Sequence, residues 1–251
     1  MIRLKSLVAV LKGNQTRSNH LLPVEATDKD REIIDYVSSR KLTMVSVPRL
    51  WSAINAVKYV IENDIDGDII ECGTWRGGCA LAMKMTIDAL KSPKKLYILD
   101  TFAGMTAPTD QDLEASSKQS AEQRYNSSIS GNINTWCYAS LEDVRSNFAN
   151  ASCLENVEFV KGDVLKTLKD RDVLGALGSL SVVRLDTDWY ESTKIELETL
   201  YPRLSSNGIL LIDDYGHWEG ARKAVDEYFV TQKSKPLSWV IDYTGRGIVK
   251  N

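Results

Sequence analysis

The chain is 251 residues long and carries 31 Lys and Arg against 34 Asp and Glu, a formal net charge of −3. That balance excludes a global electrostatic pull toward nucleic acid or an anionic membrane surface. A hydrophobic fraction of 43% beside 26% charged residues excludes a disordered chain and suits one large α/β unit, taken here as residues 1–251. The longest apolar runs, Leu7–Leu11 and Ile209–Ile212 among them, fall far short of the ~18 residues a membrane helix needs. Arg3 and Lys5 ahead of Leu7–Leu11 imitate a signal peptide, but Lys12 ends the run with no small-residue cleavage site behind it. A cytoplasmic location is expected. Cys72, Cys79, Cys137 and Cys153 form no Cys-x-x-Cys pair and read as buried or half-buried thiols.

In chain order, an N-terminal helical segment covers about 1–66. Leu4 to Leu11 can form a short helix, Asn14 to Asn19 a polar loop, and Asp28 to Ser38 a second helix. Pro48 opens an amphipathic helix in which Leu50, Ile54, Val57 and Ile61 recur at helical spacing. The chain then alternates. Strands are predicted at Asp68–Cys72, Lys95–Leu99, Val157–Val160, Ser181–Leu185 and Gly208–Ile212. Helices are predicted at Cys79–Leu90, Ser140–Asn150, Thr193–Tyr201 and Ala221–Val230, with Ser140 and Asp143 at capping-box spacing. Such alternation predicts a mostly parallel sheet with crossover helices. Leu237–Tyr243 and Gly247–Lys250 flank a Thr-Gly-Arg-Gly turn and predict a final antiparallel hairpin. The stretch at about 101–138 is too long for a simple connection. It is polar, it follows a strand end, and it reads as a ligand-covering lid with a helix at Glu114–Tyr125.

Chemistry is expected at the strand ends. Glu71 closes the first strand and leads into Cys72-Gly73-Thr74-Trp75-Arg76-Gly77-Gly78, where glycines can let a ligand approach the backbone. Gly-x-Gly-x-x-Gly and a Walker lysine are both missing. Asp100 ends the second strand, next to Thr101, and is placed to accept from ribose hydroxyls; Asp163 ends the third and can reach the base of the same nucleoside. Asp186-Thr187-Asp188 and Asp213-Asp214 close the next two strands. Four carboxylates gathered there would repel one another, and a hard divalent cation such as Mg²⁺ would compensate them. The opposing reading is that some of them cap helices or face solvent. His20 and His217 are the only histidines, too few for a zinc cluster.

These phrases, with Leu99-Asp100-Thr101-Phe102-Ala103-Gly104-Met105, Lys161-Gly162-Asp163-Val164, Arg184 through Thr193 and Ile212-Asp213-Asp214-Tyr215-Gly216, resemble the macrocin O-methyltransferase (TylF-like) family. The resemblance covers about Thr43 to Val230. It implies a Rossmann-like class I methyltransferase with a seven-stranded, mostly parallel sheet. S-adenosylmethionine would sit on Glu71, Gly73, Thr74, Trp75, Gly77, Gly78, Asp100, Thr101, Asp163 and Asp186. Mg²⁺ would sit on Asp186, Asp213 and Asp214. The resemblance further implies Asp188 as the general base, a homo-oligomer, and a sugar hydroxyl of a glycosylated small molecule or glycan as acceptor. His217 competes with Asp188, since an imidazole titrates near neutrality. Two alternatives stay open: methylation of a catechol or small phenol, with Trp189, Tyr190, Tyr215 and Trp218 as an apolar wall, and a non-catalytic cofactor-binding scaffold.

Overall fold

A computed structural model describes residues 22–233 and 235–251. The helix expected at Leu4–Leu11 and the loop at Asn14–Asn19 lie outside the described residues. The strands, in chain order, are β1 Asp68–Cys72, β2 Leu96–Asp100, β3 Ile129–Ser130, β4 Ile133–Asn134, β5 Val157–Lys161, β6 Leu180–Leu185, β7 Leu204–Ile212, β8 Ser238–Val240 and β9 Arg246–Val249. Seven of them form one sheet in the order β5-β2-β1-β6-β7-β9-β8, while β3 and β4 pair by themselves. The pairs from β5 to β7 are parallel, and β9 runs antiparallel to both β7 and β8. The final hairpin therefore enters with its second strand on β7, leaving β8 at the edge.

Both faces of the central strands are covered, which is why β1 and β6 read as nearly continuous apolar runs. Cys72 aligns with Leu99 and with Leu185, and Leu185 aligns with Ile212. This register puts Gly73, Asp100, Asp186 and Asp213 in one row just beyond the C-terminal ends. The chain winds outward from β1 through β2 to β5, then returns to β6 on the other side of β1. Ligands of open parallel sheets bind at such a reversal.

The helix Val47–Glu62 is capped by Ser46, whose Oγ accepts from the Arg49 N–H at 3.3 Å. Its stripe of Leu50, Ala53, Ile54, Val57 and Val60 is buried among sheet and helix residues. The apolar face of this helix is thus spent inside the chain. Other boundaries shift by a few residues. The helices after β6 and β7 begin at Tyr190 and Glu219, and β7 begins at Leu204.

One expected element does not form. Residues 114–125 make no single helix, and only Glu122–Ser127 is helical. Leu113 instead bridges Ser120, and Glu114 bridges Trp218. Those backbone pairings, with Lys118 turned to φ 60°, outcompete the local helical preference. Among the described residues no helix is long and apolar enough to cross a membrane.

Gly73 marks a point just beyond the end of β1 where the fold admits no side chain. Its φ is +79°, and a Cβ there would lie 2.0 Å from the Asp186 carbonyl oxygen. Gly73→Ala should therefore lower unfolding free energy by about 2–4 kcal/mol, read from urea denaturation.

Candidate active site

A cavity of about 310 Å³ opens over the row of strand ends. Gly73, Thr74, Trp75, Asp100, Thr101, Asp163 and Asp186 line it, as do Asp188, Asp213, Asp214 and His217. Glu71, Gly77 and Gly78 do not. Glu71 is fully buried behind the floor, accepting from Thr74 Oγ1 at 2.6 Å and Arg184 Nη1 at 2.9 Å. Gly77 lies against Val144 and Phe148, and a Cβ on Gly78 would fall 2.4 Å from the Leu42 carbonyl oxygen. A side chain on either glycine would meet neighbouring chain, not open cavity.

Asp100 organises the turn after β1. Its Oδ2 accepts from the N–H of Thr74 at 2.7 Å and of Trp75 at 3.3 Å, and its Oδ1 accepts from Phe102 N–H at 2.7 Å. Burial raises its carboxyl above the ordinary value despite these donors. Asp163 caps the short helix Val164–Thr167 through Oδ1, accepting from Leu165 N–H at 2.9 Å, while still bordering the cavity.

Asp186, Asp213 and Asp214 each present an oxygen within 4.8 Å of the others. Two arginines that sequence reasoning missed stand among them. Arg184, buried on β6, donates to Glu71, to Asp186 Oδ2 at 2.8 Å and to Asp213 Oδ1. Arg49 donates to Asp213 Oδ2 and, through Nε, to Asp242 Oδ2 at 3.0 Å. Both Asp213 oxygens are therefore held by guanidinium groups. A signal for Arg184 was present, since a lone arginine inside an apolar central strand must be paired to be buried. Arg49 carried none, because its helix is remote in sequence from the acids.

The arginines do not balance the cluster. Among the described residues the cations paired with Glu71, Asp186, Asp213 and Asp242 are Arg49 and Arg184, and Arg124 is a third that lines the same cavity as Asp188 and Asp214. Burial raises the carboxyls of Asp186 and Asp214 well above the ordinary value, and like charges add to the effect. Burial first, then the Asp186 charge, pushes Asp188 up to about 7. Hydrogen bonds to Asp214 and to Trp218, whose Nε1 donates to Asp188 Oδ1 at 3.1 Å, pull the other way. Asp188 also sits at φ +70°, in the left-handed region. Excess negative charge and an all-oxygen donor set fit a hard divalent cation. His217 is half-buried at the rim, its Nδ1 3.3 Å from Tyr243 Oη.

The insertion is less polar toward the cavity than its composition suggests. Thr101, Gly104, Met105, Thr106, Arg124, Trp136 and Cys137 reach it, and its Ser, Asn and Gln residues do not. Trp189 does not line it either. That indole is 2% exposed, packs at 5.6 Å and 5.0 Å from Trp136 and Trp218, and donates to the Thr106 carbonyl at 3.0 Å. Tyr190 and Tyr215 also point elsewhere, their hydroxyls donating to Glu227 at 2.7 Å and Asp226 at 2.9 Å. Of the aromatic wall expected from sequence only Trp218 borders the cavity, joined by Trp75, Trp136 and Tyr243. Cys72, Cys79, Cys137 and Cys153 are all free thiols.

The solved O-methyltransferase NovP has the same architecture, with a TM-score of 0.71 and 30% identity over 83% of this chain and 81% of NovP. Fold and site thus define a class I, S-adenosylmethionine-dependent O-methyltransferase. Demethyldecarbamoylnovobiocin O-methyltransferase of Streptomyces niveus is 34% identical over 188 residues, covering 74% of this chain and 67% of the relative. The 8-demethyl-8-(2,3-dimethoxy-alpha-L-rhamnosyl)-tetracenomycin-C 4'-O-methyltransferase of Streptomyces olivaceus matches with the same identity and coverage. The macrocin-O-methyltransferase (TylF) profile matches residues 4–247, and the chain belongs to that family. The match extends on both sides of the Thr43 to Val230 stretch that carries the motifs.

The raised Asp188 carboxyl has a consequence for stability. Between its ordinary value of 3.8 and about 7 it holds a proton in the folded chain and loses it on unfolding. Its contribution is complete below that range and is lost as pH rises through it. Metal-free protein should lose stability from about pH 4 to about pH 7, and Asp188→Asn should make that slope shallower. Urea unfolding in EDTA across this range checks it.

Proposed function

We propose that this enzyme transfers the methyl group of S-adenosylmethionine to a sugar hydroxyl on a glycosylated natural product or glycan, in a Mg²⁺-dependent reaction. The single observation that carries the reading is the Asp186, Asp213 and Asp214 oxygen cluster on the floor of a cavity that also holds Gly73, Asp100 and Asp163. The two curated relatives support the acceptor class, since the printed names of both specify O-methylation and one names a rhamnosyl substrate.

In this reading the donor lies across the ends of β1, β2 and β5. Gly73, Thr74 and Trp75 back its methionine part, Asp100 and Thr101 face the ribose, and Asp163 faces the adenine. Asp186, Asp213 and Asp214 would hold the Mg²⁺, which would supply Lewis-acid chemistry that lowers the pKa of a hydroxyl. Arg184 and Arg49 keep Asp213 oriented. Bound S-adenosylmethionine would supply the electrophilic methyl group and leave as S-adenosylhomocysteine, while the cavity residues orient the acceptor hydroxyl toward it. The hydroxyl proton passes to an Asp188 oxygen. A carboxylate held beside the acceptor oxygen can take it, and Trp218 Nε1 fixes the direction of this one. His217 and Tyr243 contact the acceptor at the rim. The same reading makes the protein a single-domain, cytoplasmic homo-oligomer.

Two measurements test this. Labelled donor and Mg²⁺ are supplied with a mixed panel of glycosides, nucleotide sugars and catechols, and products are identified by mass. A methylated sugar is expected, and products confined to catechols or aglycones would defeat the acceptor assignment. In the second, Asp214→Asn should lower kcat about 100-fold or more while donor affinity by calorimetry changes less than about threefold. EDTA should have the same split effect, and full turnover after exhaustive chelation would rule out the metal.

A further inference from the structure

The insertion that reads as a lid is anchored beneath the catalytic loops by one buried carboxylate. Asp112 is 0% exposed, and the donors bonded to its side chain come from two elements. Its Oδ2 accepts from Thr109 N–H at 2.6 Å and Thr109 Oγ1 at 2.8 Å, inside the insertion. Its Oδ1 accepts from the Tyr190 N–H at 2.8 Å, the first residue of the helix after β6. That helix has Trp189 at its N-cap and no side-chain cap of its own. Asp112 therefore acts as a cap supplied from a distant part of the chain, with its charge at the favourable end of the helix dipole.

The turn being capped needs support. Asp188, two residues before Tyr190, holds φ +70°, a conformation that costs a non-glycine residue about 1–2 kcal/mol. Such a conformation persists only where neighbours over-determine it. The insertion supplies two of those constraints, the Asp112 bond to Tyr190 and the Trp189 bond to Thr106. It also meets the other catalytic loop, since Ala115 N–H donates to the His217 carbonyl at 2.8 Å and Glu219 N–H to the Leu113 carbonyl at 2.9 Å. Gly220 leaves the space for this, because a Cβ there would fall 2.0 Å from Asp112 Oδ1.

We propose that Asp112 is a positioning residue that locks the insertion to the start of the helix after β6 and thereby holds Asp188 in its strained, acceptor-facing geometry. The inference rests on the reading of Asp188 as base, but its structural half stands apart from it. On this view residues 106–121 are a fixed strut between the two loops that carry the strand-end acids.

Asp112→Asn leaves one acceptor oxygen for two sets of donors, so either the helix cap or the Thr109 bonds must fail. Gly220→Ala displaces the carboxylate from the opposite side without removing it. Asn134→Ala is the control. It breaks bonds to Trp136 N–H at 2.9 Å and to the Tyr125 carbonyl at 2.9 Å, loosening the insertion while leaving the Asp112 bond to Tyr190 in place. Hydrogen exchange on the protein alone should show the Tyr190 amide exchanging at least about tenfold faster in Asp112→Asn and Gly220→Ala, and unchanged in Asn134→Ala. With the glycoside that wild-type enzyme methylates best, the first two variants should lose about 10- to 100-fold in kcat with donor affinity and acceptor KM within about threefold. An unchanged Tyr190 amide in both variants, or an equal kcat loss in Asn134→Ala, overturns the proposal. If wild-type enzyme methylates no glycoside, the functional reading fails, and the exchange comparison still decides the strut.

Discussion

The buried guanidinium of Arg184 is the contact on which the site depends. It stands on β6, the strand at which the sheet order reverses, and it reaches acids at the ends of β1, β6 and β7. Removing one partner of a buried charge pair typically costs 3–5 kcal/mol, because the other charge is left without compensation. Glu71, Asp186 and Asp213 are thus tied to one another through a group that no solvent can replace. Their geometry follows from strand register, not from loop conformation. A site built on strand ends is held more closely than one built on loops alone.

Charge in the cluster is distributed in layers. Arg184 neutralises the deepest acids, and Arg49 brings a second positive group from the helix before β1. Asp242, which bonds Arg49, also accepts from Gly245 N–H at 2.7 Å and Thr244 N–H at 3.0 Å in the β8–β9 turn. Thr244 Oγ1 in turn donates to the Asp213 carbonyl at 2.7 Å. Three remote segments converge on Asp213 in this way. The compensation is incomplete, and the carboxyls of Asp186, Asp188 and Asp214 are pushed upward by burial. Arg49 and Arg184 both border the cavity, and together they leave the cluster with more carboxyls than cations.

The aromatic residues show how composition can mislead. Trp136, Trp189 and Trp218 form a closed set of contacts, two edge-on and one tilted, that joins the insertion to the helices after β6 and β7. Indoles near a sugar site suggest stacking platforms, yet Trp189 is consumed by packing and by its bond to Thr106. Trp218 serves both purposes, donating to Asp188 while bordering the cavity. The insertion is consequently joined to the catalytic floor by an apolar cluster as well as by hydrogen bonds.

The sequence by itself determined seven of the nine strands, that most of them run parallel, the closing hairpin and the row of acids at the strand ends. Apolar runs buried on both faces and helices with one apolar stripe are local patterns, and Asp100, Asp163, Asp186, Asp213 and Asp214 directly follow or end such runs. Tertiary structure decided what those acids touch. Arg49 and Asp213 are far apart in the chain, as are Asp112 and Tyr190, and no periodicity encodes such a meeting. It also decided that residues 113–120 pair with each other and with Trp218 instead of coiling, because a backbone partner brought by the fold outweighs a short segment's helix propensity. The surroundings of Gly77 and Gly78 were decided in the same way. Sequence shows that no side chain is wanted there, and only packing shows that a neighbouring stretch of chain occupies the space.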